Sequence, residues 1–268
     1  MSRAGTASTA GGSIVQRFVY MPESRGREVL LGIAWFLGFI LCAFIGPVVL
    51  AVLISALCSV AALQSVRSWR QHRVEVDRNV AAILPAAAGL SALIGVALAG
   101  FVLAFGAVAA VVVALGAPGR SVSVLARAGT TLRCALLPAI TAISMVSMSR
   151  TSMSALLVLL VLVSAYETGN HLIGTGAGSV FEGPVAGIVA VLVLTFTEST
   201  FQFGPFSSHS AWLFGGLVAV LAPLGVPLAA ALVPRAGEVG AALRRLDSWL
   251  LVAPAWCWSL WNLFGRTH

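Results

Sequence analysis

The sequence contains no lysine and few acidic residues. Of its 268 residues nine are Asp or Glu and sixteen are basic, all of them Arg, so that charged residues make up 9% of the chain. No acidic residue lies between Asp77 and Glu167, a stretch dominated by Ala, Val, Leu and Gly. An ordinary soluble domain carries charge on about a quarter of its residues. The composition therefore excludes that class of protein.

Cysteine is also sparse. Cys42, Cys58, Cys134 and Cys257 each stand in an apolar segment, and no two of them form a Cys-x-x-Cys pair. Metal and redox motifs need cysteines at short spacing. We therefore interpret these residues as small core side chains without a metal or disulfide role.

Long apolar runs make up most of the rest of the sequence. Hydrophobic residues make up 59% of the chain, and a helix needs about 20 apolar residues to cross a bilayer core of about 30 Å. The pattern predicts an all-α, polytopic integral membrane protein with about nine transmembrane helices. Gly46-Pro47 and Gly100 divide two runs that are too long for single spans. The predicted segments are 29–45, 47–63, 80–97, 99–116, 134–149, 153–167, 181–197, 211–234 and 249–264.

Two of these segments, 134–149 and 153–167, are short. They are compatible with two tilted helices or with one helix and a re-entrant piece, so the count of spans carries an error of one or two.

The arginines divide by side of the predicted membrane. With nine spans they all fall in the N-terminal tail or in the loops after helices 2, 4 and 8, except Arg150 and Arg266. The positive-inside rule then places the N-terminus in the cytoplasm of a multi-pass protein of the inner (plasma) membrane. Because orientation accounts for the net charge of +7, we expect these arginines to face anionic lipid and not nucleic acid.

Three regions follow from this layout. They are a flexible cytoplasmic tail (1–28), an N-terminal transmembrane scaffold (29–149) and a C-terminal transmembrane region that carries the site (150–268). The tail is small and polar at its start and shows no signal-peptide cleavage site. Carboxylates are costly in hydrocarbon unless they face a polar interior. The acidic residues of the C-terminal half therefore indicate that this half carries the function. These residues are Glu167, Glu182, Glu198, Glu238 and Asp247.

In the predicted topology all of these acids except Glu198 lie at the cytoplasmic face. Glu167 ends helix 6, Glu182 begins helix 7, and Glu238 and Asp247 lie in the loop between helices 8 and 9. Carboxylate oxygens suit Mg²⁺, and guanidinium groups suit phosphate. The combination is typical of phosphate transfer, although ordinary loop charges explain it as well. The neighbouring arginines are Arg235, Arg244 and Arg245.

Three short elements follow one another in this half. They are Tyr166-Glu167-Thr168-Gly169, Phe181-Glu182-Gly183, and Gly240 followed by Arg245-Leu246-Asp247-Ser248. In order and spacing they resemble motifs of the phosphatidate cytidylyltransferase (CDP-diacylglycerol synthase) family, over roughly residues 160–260. The resemblance implies a multi-helix membrane enzyme that transfers CMP from CTP to a lipid phosphate with the help of Mg²⁺.

The resemblance also implies roles for individual residues. Glu167 and Asp247 would be catalytic carboxylates, and together with Glu238 as a substitute ligand they would bind Mg²⁺. The substrate- and phosphate-binding residues would be Glu182, Gly183, Arg235, Arg245 and Ser248.

The sequence departs from the family pattern at several places. Gly225-Val226-Pro227-Leu228-Ala229-Ala230 stands where the family has Gly-Asp-x-x-Glu-Ser, and the Lys-Asp element has no counterpart. Arg244 and Val239 replace an Asp and a His of the last motif, and the lysines of the second motif are absent. Metal-dependent transfer needs oxygens for the ion and cations for the triphosphate.

Two hypotheses therefore follow. One is an active, divergent synthase. The other is a non-catalytic descendant that serves in lipid binding, in transport or in a complex, as a homo-oligomer or with another membrane protein. Outside the family, an ion-coupled carrier is the alternative, and acids at helix centres would favour it. The tryptophans of the chain's last helix, together with Trp212, are predicted to be interfacial anchors. They are Trp249, Trp256, Trp258 and Trp261.

Overall fold

The computed structural model describes residues 26–116, 123–202 and 204–264. Within these ranges the chain forms nine α-helices, one 3-10 turn and no strands, which confirms the all-α prediction. The helices are α1 (Gly26–Ile45), α2 (Pro47–Gln71), α3 (Arg78–Ser91), α4 (Val96–Gly116), α5 (Val124–Thr151), α6 (Met153–Gly174), α7 (Glu182–Phe201), α8 (Ser208–Ala231) and α9 (Ala241–Phe264), and the turn is Ala236–Glu238. Most of the predicted tail (1–28) lies outside the described residues, as do Arg120 and Arg266.

Six helices of the described ranges are long and apolar enough to cross a membrane, namely α2, α4, α5, α6, α7 and α8. In addition, α1 contains a shorter apolar stretch, Gly32–Ile45, and α3 has 14 residues. The chain is thus a multi-pass membrane protein by the length and composition of its helices. The predicted count of nine spans, the identity of the membrane and the direction of the N-terminus stay predictions.

The helix α5 begins earlier than the sequence predicts. Its first residue is Val124, and the Ser123 side chain caps it by accepting a hydrogen bond from the Ala126 N–H at 3.2 Å. Arg127 and Arg133 therefore lie in the first turns of the helix, and the prediction that they lie in a loop is wrong. The helices α5 and α6 are separate and have 28 and 22 residues, and each is long and apolar enough to cross a membrane, which favours two spans over one helix and a re-entrant piece.

Side-chain contacts identify the two ends of the bundle. At one end, the Trp69 indole N–H of α2 donates to the Leu232 carbonyl after α8 at 2.8 Å. At the opposite end, Arg150 Nη1 of α5 donates to the Ala92 carbonyl after α3 at 3.2 Å. We call the first the basic end, since it also gathers the α2–α3 loop, the start of α5 and the α8–α9 loop with their arginines. Among the described arginines beyond α1, Arg150 alone lies at the opposite end, in agreement with the predicted grouping.

The tryptophans of α9 divide between the core and the surface. Trp249 and Trp256 are 1% and 0% exposed, so the prediction that they are interfacial anchors is wrong. Phe39 stacks on Trp249 at a centroid distance of 6.1 Å, and Phe206 and Phe214 pack on Trp256 at 5.8 and 4.6 Å. Burial of such large rings contributes strongly to core packing. The exposed members of the predicted set are Trp212, Trp258 and Trp261.

Candidate functional site

Glu167 lies inside α6 and not at its end. The helix continues through Gly169 because this residue packs directly on α7, where a Cβ atom would come within 2.8 Å of the Ala186 carbonyl oxygen. It ends only at Gly174. The prediction that Glu167 ends the helix is therefore wrong. The residue lies about two turns, roughly 10 Å, from the helix end at the basic end of the bundle.

Asp247 likewise lies inside a helix. The predicted loop position is wrong, because α9 begins at Ala241 and places Arg245 and Asp247 in its second turn. The start of α9 is held by α2, since the Gln64 side-chain oxygen accepts a hydrogen bond from the Ala242 N–H at 2.9 Å. Asp247 thus lies at a depth similar to that of Glu167, about two turns from the helix end.

Glu167, Arg245 and Asp247 form one charged group between α6 and α9, which we call the carboxylate–arginine cluster. The charged groups near enough to act on Glu167 include the Asp247 carboxylate and the Arg245 guanidinium. The guanidinium of Arg245 also packs against α1, where a Cβ atom at Gly32 would lie 3.0 Å from its Nη1. Residues from two separate sequence elements are thus brought together, as a single site requires.

The cluster is shielded from most of the solvent, since Asp247 is buried and Glu167 and Arg245 are half-buried. Asp247 is 7% exposed, and its Oδ1 accepts hydrogen bonds from the Ser248 N–H at 2.6 Å and the Ser248 hydroxyl at 3.2 Å. The Glu167 Oε1 and the Tyr166 hydroxyl are buried without a hydrogen-bond partner in the described part of the chain. Buried polar atoms cost free energy until they are paired. The cluster therefore has spare donor and acceptor capacity for a ligand.

Tyr166 is not among the predicted site residues. The signal that identifies it is its place next to Glu167 in the first of the three sequence elements. Its ring is held by α7, where a Cβ atom at Gly187 would come within 2.6 Å of the ring and within 2.7 Å of the Tyr166 carbonyl oxygen. The burial of its hydroxyl depends on this contact between helices, which the sequence does not reveal.

Gly225 sets the distance between α8 and α9 beside the cluster. A Cβ atom at this position would overlap the Asp247 carbonyl oxygen and lie 2.8 Å from the Ser248 nitrogen. The stretch 225–230, which departs from the acidic family motif, is therefore a helix contact lined by buried small residues such as Ala229 and Ala230. No acidic side chain reaches the cluster from this stretch.

The second sequence element packs on α6. Glu182 begins α7, as predicted, but its side chain is exposed and is not among the charges that act on Glu167. Gly183 is buried, and a Cβ atom there would overlap the side chain of Asn170 and lie 2.9 Å from its carbonyl oxygen. Gly183 therefore allows the close approach of α6 and α7.

The remaining predicted residues lie in the α8–α9 loop. Arg235 is exposed at the basic end. Glu238 is engaged by α2, since its carboxylate accepts a hydrogen bond from the Ser68 hydroxyl and its Oε1 lies 3.4 Å from the His72 Nε2. These contacts attach the loop to α2.

The donor set for a metal ion consists of two carboxylates. Within the described ranges no group of three His, Cys, Asp or Glu side chains is close enough to hold an ion. Mg²⁺ is commonly bound by one or two carboxylates together with substrate phosphates and water. Glu167 and Asp247 fit this manner of binding, and the unpartnered Oε1 of Glu167 supplies a free acceptor.

Comparison of this chain with protein-family models, with curated proteins and with solved structures gives no match. The resemblance to the synthase family therefore rests on the three sequence elements alone.

Proposed function

We propose that this chain is a CDP-diacylglycerol-synthase-like membrane protein of phospholipid metabolism. In this proposal it binds a lipid phosphate at the carboxylate–arginine cluster and transfers CMP to it from CTP with release of pyrophosphate. The observation that carries the proposal is that the buried Asp247 and the half-buried Glu167 and Arg245 lie close enough for their charges to interact. Two carboxylates beside a guanidinium provide oxygens for a metal ion and a fork for phosphate oxygens.

Each residue of the cluster has a role in this proposal. Glu167 and Asp247 hold Mg²⁺, whose charge offsets that of the phosphates. Arg245 binds a phosphate oxygen as a permanently charged donor. The Tyr166 hydroxyl is a further donor directed at the bound phosphate. Because the cluster is shielded from solvent, each of these electrostatic contacts is stronger than it would be in water.

The depth of the cluster supports a lipid substrate. It lies roughly 10 Å from the ends of α6 and α9, which is just beneath the headgroup and interfacial layer of about 5 to 8 Å if those helix ends lie at the membrane surface. A lipid phosphate can reach that depth from the bilayer, and a nucleotide can reach it from water. The arginines of the basic end raise the local concentration of both anions.

The transfer can be tested with radiolabelled CTP, phosphatidic acid and Mg²⁺ in mixed micelles of the purified protein. We expect labelled lipid from the wild type and a loss of at least about a hundredfold in Glu167→Gln and in Asp247→Asn, the order of magnitude by which removal of a catalytic electrostatic contact slows an enzyme. Glu198→Gln is the matched control. Glu198 also has a buried Oε1 without a partner among the described residues, but it lies in the last turn of α7 at the opposite end.

Product formed equally by all three variants would contradict the assignment of the site. No product from the wild type, over several lipid phosphates and divalent ions, would remove the catalytic form of the proposal. The non-catalytic descendant, a lipid-phosphate-binding protein, would then be the function to pursue.

An ion-coupled carrier is the second candidate, and one observation favours it. The Glu167 Oε1 is buried about two turns inside a helix without a hydrogen-bond partner in the described ranges, as is typical of a carboxylate that binds protons or cations in transport. This function would show as cation uptake into proteoliposomes that needs no CTP and is lost in Glu167→Gln.

A further inference from the structure

A polar pocket lies at the basic end, apart from the carboxylate–arginine cluster. It has a volume of about 370 Å³ and lies between the α2–α3 loop, the last turns of α4 and the first turn of α5. It shares no lining residue with the carboxylate–arginine cluster. Its charged lining residues are Arg70, Arg73, Glu75, Asp77 and Arg127.

The acidic residues of this pocket are already engaged. Glu75 forms an ion pair with Arg127. Asp77 caps α3, since its Oδ1 accepts a hydrogen bond from the Val80 N–H at 2.7 Å. The side chains of Arg70 and Arg73, in contrast, form no hydrogen bond or ion pair with another described residue. The pocket therefore has an excess of positive charge, carried by two arginines that are available to a ligand.

Arg127 adds an unsatisfied buried donor. Its side chain is 8% exposed, and its Nε is buried without a hydrogen-bond partner in the described part of the chain. The ion pair with Glu75 uses Nη2 and leaves the rest of the guanidinium fork for another acceptor. Phosphate oxygens match this fork better than any neutral acceptor does.

The backbone at Arg73 is unusual for a side chain of this size. Arg73 has φ 60°, in the left-handed region, directly after α2 ends. The turn is closed by the Arg73 N–H, which donates to the Arg70 carbonyl at 3.0 Å, and by the Val74 N–H, which donates to the Trp69 carbonyl at 3.2 Å. Helices commonly end on glycine at such a position because an L-residue is strained there. An arginine held in this conformation points to a use for its side chain.

The pocket also borders the lipid-facing side of the bundle. Val113 of α4 lines it, and the neighbouring residues Val112 and Leu115 are 58% and 66% exposed. Because α4 is strongly apolar and few of its side chains are buried within the bundle, it presents most of its surface to hydrocarbon. A headgroup in this pocket would thus have its acyl chains beside α4.

We propose that this pocket binds the phosphate group of an anionic phospholipid, with Arg70, Arg73 and Arg127 as donors to the phosphate oxygens. The inference does not depend on the proposed function, because the two sites share no residue and the lipid bound here is not a substrate.

The test is a titration of the purified full chain in detergent with phosphatidylglycerol, followed by native mass spectrometry. We expect Arg73→Gly and Arg127→Gln each to lower the affinity about fivefold, which corresponds to one arginine at an anionic lipid surface. Arg73→Gly distinguishes a loss of lipid binding from a loss of folding. Glycine suits the left-handed backbone, so this variant should unfold at or above the wild-type temperature while it loses affinity. The matched control is Arg150→Gln, which removes an arginine at the opposite end and should leave the affinity unchanged.

Two competitors identify the source of the phosphate. If millimolar inorganic phosphate displaces phosphatidylglycerol, the pocket takes a free phosphate group as well. If neither inorganic phosphate nor phosphatidylcholine displaces it, the ligand is an anionic lipid headgroup. Either result supports a phosphate site, whereas unchanged affinity in Arg73→Gly, or an equal loss in Arg150→Gln, would overturn it.

Glu167→Gln distinguishes this inference from the proposed function. The variant should retain phosphatidylglycerol binding at the arginine pocket while it loses CTP-dependent product. Loss of phosphatidylglycerol binding in Glu167→Gln, with full binding in Arg73→Gly, would leave the proposed function standing and remove the second site.

Discussion

Replacement of Gly225 by valine is expected to destabilise the protein by about 3 kcal/mol or more, at the upper end of what overpacking costs. The new side chain would meet backbone atoms of α9 at Asp247 and Ser248, which cannot rotate away as a flexible side chain can. The helices α8 and α9 would have to separate. Because Asp247 lies at this contact, the carboxylate–arginine cluster would lose its geometry together with the packing.

The measurement is thermal unfolding of the detergent-solubilised protein, with size-exclusion chromatography as a check on folding. Gly216→Val on the same helix is the control, since a Cβ atom at Gly216 has no neighbour within 4 Å. This control should unfold close to the wild-type temperature. If Gly225→Val were as stable as Gly216→Val, the close contact of α8 with α9 would be incorrect.

Arg245→Gln is expected to destabilise the protein by about 3 kcal/mol, because it leaves the buried Asp247 and the half-buried Glu167 without their nearby cation. A second substitution, Glu167→Gln, should then restore part of the loss by removing one of the two negative charges. The restoration should amount to a coupling free energy of about 0.5 to 3 kcal/mol, the range for residues of one charged network.

The measurement is a double-mutant cycle, in which the free energies of unfolding of the wild type, the two single variants and the double variant are compared in one detergent. Arg235→Gln is the control for loss of a positive charge at the same end. Arg235 is exposed, so its replacement should change the free energy of unfolding by no more than about 0.5 kcal/mol. Strict additivity of Arg245→Gln and Glu167→Gln would show that the two side chains do not interact.

The positions of the helices follow closely from the apolar runs, but the N-terminal ends of α5 and α9 do not. Hydropathy places α5 and α9 from residues 134 and 249, whereas the helices begin at Val124 and Ala241. Their first turns carry arginines, which hydropathy cannot distinguish from a loop. Two contacts fix these helix starts, the Ser123 cap of α5 and the hydrogen bond that the Ala242 N–H of α9 donates to Gln64 of α2. The second of these exists only in the folded protein.

The grouping of the site residues could be predicted from the sequence only in part. The resemblance to the synthase family grouped Glu167 with Asp247, and the structure places their charges together. It also grouped Glu238 with them, but that residue binds Ser68 and His72 of α2. Such partners are distant in sequence and depend on the helix arrangement. Thr168-Gly169-Asn170 similarly suggests a turn, and only close packing on α7 explains why the helix runs through it.

The most direct test of the account is to locate a bound lipid phosphate. A phosphatidic acid with a photoreactive group close to its phosphate would be crosslinked to the purified protein, and the labelled peptides would be identified by mass spectrometry. We expect labels in α6 and α9 near Glu167 and Asp247, and clearly fewer of them in Arg245→Gln. Labels that leave both helices unmarked, or that are equally abundant in Arg245→Gln, would contradict a lipid-phosphate site at the carboxylate–arginine cluster.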